Sequence, residues 1–173
     1  MTRQFTLLLL LAASLGLAAC TSSNDEDAAS KPAAAVVVPV APKGADDKLW
    51  KNYLQDVIRQ NMAGVTDRVS PYYLPANSIV VPPDASDGKS QYDRQLENVS
   101  SVIARSVLPG NMLVFGSPDS SKMGDLVVAA FTGVKPDALK GSQVLFVGSA
   151  ADKDRVQAAV EASGAKYIFV EAK

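Results

Sequence analysis

The sequence predicts a small α/β domain with a mostly parallel sheet of three or four strands flanked by helices. Three short apolar runs in the second half, at residues 112–115, 144–147 and 167–170, are typical of buried strands. A segment with helical signals separates the last two runs, which is the pattern of a strand, a crossover helix and a parallel strand. Two amphipathic segments in the first half predict further helices that cover the sheet.

The first predicted helix begins at Asp46 and Asp47. Acidic residues at its start, an apolar stripe and Gly64 at its end are typical of an amphipathic helix of about four turns. The apolar residues recur at intervals of three and four, as expected for one face of a helix. They are Leu49, Trp50, Tyr53, Leu54, Val57, Ile58 and Met62.

Prolines interrupt residues 65–87 and leave room for one short element there. We predict a strand at residues 78–81, where Ser78 precedes three β-branched apolar residues. The second amphipathic helix begins at Ser90, because the sequence from Ser90 to Asp93 has the form of a capping box. This helix ends before Pro109.

Residues 120–132 fit either a strand or a helix. Their apolar run, 126–131, has the length of a strand, but a parallel partner for residues 112–115 needs a crossover connection. Because Ser120 or Ser121 before the run and Gly133 after it are typical of helix ends, we favour a helix.

The last predicted helix lies between the second and third apolar runs. Ser149 precedes it as an N-cap, with Asp152 three residues further on. Val156 and Val160 are spaced to face the sheet, and Gly164 ends the helix.

Residues 1–19 have the form of a secretory signal peptide. Arg3 supplies the positive charge, and the apolar run that follows is short for a membrane span. The sequence Leu17-Ala18-Ala19-Cys20 resembles the lipobox of bacterial lipoproteins. The resemblance implies cleavage before Cys20, diacylation of its sulfur and acylation of the new amino terminus. The alternative is an ordinary secretory signal followed by a chance cysteine.

Thr21 follows the cysteine. In lipoproteins of Gram-negative bacteria an aspartate at that position retains the protein in the inner membrane, so the resemblance implies an outer-membrane anchor with the body in the periplasm. Removal of the signal takes Arg3 from the 17 basic residues, which leaves 16 against 18 acidic residues. We therefore expect no second, electrostatic contact with the membrane.

Residues 20–45 are predicted to form a flexible tether, and residues 46–173 a single periplasmic domain. Small and polar residues with scattered prolines bury too little surface to fold, and prolines favour extended chain. At about 3 Å per residue the tether reaches up to about 75 Å. Residues 36–38, three valines, could instead pair as a strand on the edge of the domain.

Composition excludes several classes of function. With 17 basic and 18 acidic residues and no long basic run, the chain lacks the electrostatic pattern of a nucleic-acid-binding protein. The absence of histidine removes Ser-His, Cys-His and His-ligated metal centres, and a single cysteine removes thiolate zinc clusters. We therefore predict no metal and no cofactor.

Three weak motifs remain. Gly148 and Ser149 join a strand to a helix, where backbone amides can bind an anion, although N-capping explains the same residues. Ser86 and Lys89 have the spacing of penicillin-recognising serine enzymes, but Asp-Gly between them favours a turn. A pair of carboxylates could hydrolyse sugars if two of them met in a cleft. The candidates are Asp67, Asp84, Asp87, Asp93, Glu97, Asp119 and Asp125.

Arg68, Tyr72 and Tyr73 are the candidate partner-binding residues. Two adjacent tyrosines in an extended segment point in opposite directions, so at least one is expected at the surface. Tyrosine and arginine dominate the energetics of protein interfaces. The alternative is that the segment packs onto the domain.

These observations predict a non-enzymatic lipoprotein that binds another protein in the envelope. It would serve either as an accessory of an envelope or secretion machine, or as an immunity-type inhibitor of a periplasmic toxin. The alternative from another class is a cell-wall hydrolase or small-ligand binder with carboxylates in a cleft at the carboxyl ends of the strands.

Overall fold

Helices and strands alternate along the chain in the computed structural model, which describes residues 39–105 and 107–173. The signal peptide, Cys20 and the alternative strand at 36–38 lie outside the described residues. The elements are α1 Asp47–Gln60, β1 Val69–Tyr73, α2 Gln91–Ala104, β2 Met112–Gly116, α3 Ser120–Phe131, β3 Gln143–Gly148, α4 Ala150–Glu161 and β4 Lys166–Glu171. The predicted α/β fold is confirmed.

The four strands form one fully parallel sheet in the order β1-β2-β3-β4. In the two pairings of β2, Val114 lies opposite Pro71 of β1 on one side and Leu145 of β3 on the other. Because every crossover in such a sheet is right-handed and the strand order never reverses, α2, α3 and α4 all lie on one face. The first helix, α1, covers the other face.

Two apolar clusters, one on each face, make up the core. Alternate residues of β2 and β3 enter alternate clusters, as a two-residue side-chain period requires. The cluster under α2, α3 and α4 includes Leu113, Phe115, Val144 and Phe146. The cluster under α1 is formed by Trp50, Tyr53, Leu54, Val57, Met112, Val114, Leu145 and Val147. Burial on both faces explains why these strands read as continuous apolar runs.

Side chains cap the helices where the sequence predicts helix starts. The Ser90 side chain accepts from the Asp93 N–H, and the Asp93 carboxylate accepts from the Ser90 N–H, which confirms the capping box. The helical interpretation of residues 120–132 is also confirmed. Its N-cap is Asp119 rather than the predicted Ser120 or Ser121, and the Asp119 carboxylate accepts from the Lys122 N–H at 3.0 Å.

The strand predicted at residues 78–81 is wrong. Residues 76–79 form turns, and the strand of this region is β1, Val69–Tyr73. Valine and isoleucine favour strands only where a neighbouring strand can pair with them, and residues 78–81 lie beyond the end of β1.

Pro71 does not prevent β1 from joining the sheet. The Met112 N–H donates to the Arg68 carbonyl, and the Leu74 N–H donates to the Gly116 carbonyl. Backbone groups alternate along a strand, so the nitrogen of Pro71 faces away from β2 and its missing hydrogen removes no sheet bond.

Contacts with α1 begin before the predicted domain boundary at Asp46. The Trp50 indole N–H donates to the Gly44 carbonyl at 2.8 Å, and Ala41 packs against the cluster under α1. None of the helices within residues 39–105 and 107–173 is both long and apolar enough to cross a membrane.

Candidate functional site

The two tyrosines of the predicted partner-binding segment lie on opposite faces of β1. Tyr72 is only 7% exposed, and its ring stacks on Phe115 with 5.2 Å between centroids. Burial raises the pKa of Tyr72. Strand alternation therefore directs the Tyr72 ring into the core, which leaves little of it accessible to a partner.

Tyr73 is half-buried on the face of α1. Its hydroxyl donates to the Asp47 carboxylate at 2.8 Å, and Lys51 Nζ lies 5.3 Å from the ring centroid. Burial and the nearby carboxylates raise the pKa of Tyr73, so it stays a donor. Arg68 is exposed just before β1 and lines one depression of about 310 Å³ together with Tyr72. Tyr73 lies on the other face of β1, so the three predicted residues do not form one surface.

Among the described residues, the longest run of exposed large apolar side chains along the chain lies in the loop between β1 and α2. Ile79, Val80 and Val81 are 56%, 60% and 45% exposed. The other large apolar side chains exposed among the described residues stand singly along the chain, and of these Val40 and Leu49 line one depression beside α1. Scattered apolar residues are normal on a protein surface, whereas a contiguous group indicates a binding surface.

The loop is held in place beneath these side chains. Ser78 is buried, its N–H donates to the Pro75 carbonyl at 3.1 Å, and its carbonyl accepts from the Tyr92 N–H at 2.9 Å. Pro82 and Pro83 restrict the backbone on the other side of the exposed residues. The apolar side chains are therefore presented by a restrained backbone.

Two shallow depressions share Gln91, and the first of them also includes the exposed Val80. The first, which we call the apolar groove, has a volume of about 260 Å³ and is lined by Asn77, Val80, Pro82, Pro83 and Gln91. The second, which we call the polar cleft, has a volume of about 460 Å³. It is lined by Asp47, Lys51, Tyr73, Leu74, Pro75, Gln91, Arg94 and Gln95. Together they place an apolar and a polar surface side by side.

The charged side chains of the polar cleft differ in whether they have a partner. Arg94 donates twice to Asp87, at 2.7 and 3.1 Å, and this pairing lowers the pKa of Asp87 to about 2. Asp47 accepts the hydroxyl of Tyr73. Lys51 forms no ion pair with any residue that the structure describes. The cleft therefore presents the Lys51 ammonium group together with the Asp47 carboxylate, whose charge the Tyr73 hydroxyl does not neutralise.

A polar cluster joins α3 to α4 at the carboxyl ends of the strands. The Ser120 hydroxyl donates to Asp152 at 2.6 Å and accepts from the Ser149 N–H at 2.7 Å. Arg155 donates to Asp152 and to Asp125, each within 3.0 Å. The N–H of Ser149 is therefore already bonded, which favours the capping role of this residue over anion binding.

Loss of the Arg155 side chain is expected to destabilise the domain. Asp152 is 8% exposed, so Arg155→Ala leaves a nearly buried carboxylate without its cation and should lower the free energy of unfolding by about 2–3 kcal/mol. Arg59→Ala is the control, since Arg59 pairs with Asp56 at the surface and its loss should cost less than about 1 kcal/mol. Denaturant melts measure both. Equal, small effects would contradict a structural role for the cluster.

Five of the seven carboxylates considered for sugar hydrolysis have structural partners. Asp93 and Asp119 cap helices, and the others pair with basic side chains. The pairs are Asp87 with Arg94, Glu97 with Lys89, and Asp125 with Arg155. Ser86 and Lys89 flank a turn in which Gly88 has φ +65°, so they do not share a helix face. Within the described part of the chain no three acidic, histidine or cysteine side chains are grouped to hold a metal ion.

No protein-family model, curated protein or solved structure significantly matches the chain.

Proposed function

We propose that the chain is an outer-membrane lipoprotein whose α/β domain is a non-enzymatic protein-binding module. Its contact surface would be Ile79, Val80 and Val81 together with the apolar groove. The observation that carries this proposal is the exposure of three consecutive β-branched side chains on a restrained loop. The anchor is supported by the resemblance of residues 17–20 to a lipobox.

A restrained apolar loop suits recognition of another protein. Binding requires less ordering when the loop already holds its conformation, so more of the contact energy appears as affinity. Burial of apolar surface contributes about 25 cal/mol per Å². The hydrogen bonds of Ser78 and the prolines around the loop supply that restraint.

The polar cleft indicates what kind of partner segment would fit. Lys51 lies in the cleft next to the ring of Tyr73, and the apolar groove lies on the other side of Gln91. A partner segment could place an apolar side chain in the apolar groove and the acidic side chain that follows it next to Lys51 in the polar cleft. An envelope accessory and an immunity-type inhibitor would both need such a contact.

Polar substitution of the loop should abolish partner capture without unfolding the domain. Ile79→Ser with Val80→Ser removes two exposed contacts, and we expect affinity to fall at least about 30-fold, equivalent to about 2 kcal/mol at an interface hot spot. Purified wild-type and variant chains would be compared by capture from an envelope extract of the native host, with quantitative mass spectrometry. The melting temperature should change little, because both side chains are exposed.

Leu108→Ser is the matched control, since Leu108 is 63% exposed at a different site. It should leave capture unchanged. Equal capture by the loop variant and wild type would contradict the proposed surface. Turnover of a cell-wall substrate that is lost on a single Asp→Asn change would replace the binding module with the hydrolase alternative.

A further inference from the structure

The two outer strands of the sheet differ in their ability to accept another strand. In β1 the backbone groups of Arg68 and Leu74 bond to β2, so the nitrogen of Pro71 points to the free edge. A proline nitrogen has no hydrogen, so this edge lacks the central donor that an added strand would use. The β1 edge is therefore protected.

The edge formed by β4 is not protected in this way. The Lys166 N–H donates to the Ser142 carbonyl and the Ala172 N–H to the Gly148 carbonyl, each at 3.0 Å. The even-numbered residues of β4 therefore face β3, and the odd-numbered ones present their N–H and C=O groups to the free edge. The outward-facing residues are Tyr167, Phe169 and Glu171.

The side chains of β4 also favour further pairing. Its four central residues, 167–170, are apolar or aromatic and half-buried, and its charged residues, Lys166 and Glu171, stand at the two ends. Apolar strands that expose a full row of backbone donors and acceptors are prone to pair with another strand. In the part of the chain that the structure describes, β3 is the only strand paired with β4.

We propose that this edge joins two copies of the chain, with their β4 strands antiparallel about a two-fold axis through Phe169. In this register Phe169 lies opposite Phe169 of the second copy, and Tyr167 lies opposite Glu171 of the second copy. The backbone groups of all three outward-facing residues then donate and accept hydrogen bonds across the axis. No outward-facing residue of β4 remains unpaired at either end of the strand. A two-fold axis makes each contact occur twice.

The side chains are complementary in the same register. On the face of α1, Ile168 lies opposite Val170 of the second copy, and on the other face the two Phe169 rings are neighbours. Lys153 Nζ lies 6.0 Å from the centroid of the Phe169 ring. Glu171 pairs with Lys173 of its own chain at 2.9 Å. In the dimer, Glu171 of the second copy comes diagonally next to the Phe169 ring, which brings this ion pair close to the Lys153 ammonium across the axis.

A cross-strand disulfide tests this register in the full-length chain. Tyr167→Cys with Glu171→Cys places thiols on residues whose Cα atoms would be about 5.5 Å apart, within the range of about 4.4–6.8 Å for disulfides. We expect a covalent dimer on non-reducing gels after mild oxidation of membranes. Each single variant is a matched control, because identical positions lie about 13 Å apart along the paired strands. Neither should dimerise more than the wild type, which retains Cys20.

A second pair of variants tests the edge without cysteines. Glu171→Pro removes an outward-facing N–H but no bond to β3, and should raise the dissociation constant of the dimer at least about ten-fold. Glu171→Gln keeps that N–H and should stay within about three-fold of wild type. Sedimentation equilibrium of the detergent-solubilised full-length chain measures both.

Three results would overturn the proposal. The first is equal disulfide yield in the single and double cysteine variants, and the second is an unchanged dissociation constant for Glu171→Pro. The third is an intrachain disulfide between cysteines at Val37 and Tyr167, which would assign the edge to residues 36–38 of the same chain.

Discussion

Phe146→Asp is expected to abolish cooperative folding. Phe146 is fully buried in β3, between Phe115 of β2 and Phe169 of β4 in the sheet register, and its ring stacks on Phe169 at 6.3 Å. Removal of a buried aromatic side chain costs about 3–5 kcal/mol, and an unpaired buried carboxylate adds several more. A total stability of about 5–15 kcal/mol leaves little or nothing after that loss.

Thermal melts followed by near-ultraviolet circular dichroism would measure the effect. Ile79→Asp is the matched control, because it places the same carboxylate on a side chain that is 56% exposed. It should melt within a few degrees of the wild type, since surface substitutions usually change stability by less than about 0.5 kcal/mol. A cooperative melt of the Phe146→Asp variant near the wild-type temperature would show that the position tolerates a charge.

The central strands could be predicted because their burial determines which residue types the sequence has there. Both faces of β2 and β3 are covered by helices, so residues 112–115 and 144–147 are apolar at every position. The helices could be predicted from equally local patterns, such as the capping box from Ser90 to Asp93. Short-range chemistry of this kind is visible without knowledge of the fold.

The first strand could not be predicted because its pairing depends on a distant segment. Val69–Tyr73 contains a proline, and only the position of β2 shows that the nitrogen of Pro71 faces the free edge. The sequence around Ile79 carries strong strand propensity, but no strand lies beside it in the described fold. Local propensity therefore favoured the wrong one of two neighbouring segments.

The candidate surface was missed for a related reason. A run of β-branched residues reads the same whether it is buried in a sheet or exposed on a loop, and the interpretation of residues 78–81 as a strand concealed its exposure. The prolines at 75, 82 and 83 were the available signal, because they fit a restrained loop better than a paired strand. Tyr72 had the residue type of an interface anchor, but β1 directs it into the core.

Cys20→Ser is expected to move the protein from the membrane to the soluble fraction of the envelope. The proposed anchor carries three acyl chains. Each buried methylene group contributes about 0.8 kcal/mol to membrane binding, and two lipid signals already suffice for stable anchoring. Serine lacks the thiol that accepts the diacylglyceryl group. Radiolabelled palmitate incorporation and fractionation of cells that express the full-length chain would measure both changes.

Thr21→Asp separates lipidation from sorting and is the control for this experiment. It should keep the lipid label, because Cys20 is intact, but shift the protein from the outer to the inner membrane if the sorting rule of Gram-negative lipoproteins applies. The soluble Cys20→Ser protein should melt like the wild type, since the clusters on both faces of the sheet are formed by residues beyond position 40. Sedimentation of the Cys20→Ser protein with membranes after a carbonate wash would show that something other than a lipid on Cys20 holds the chain there.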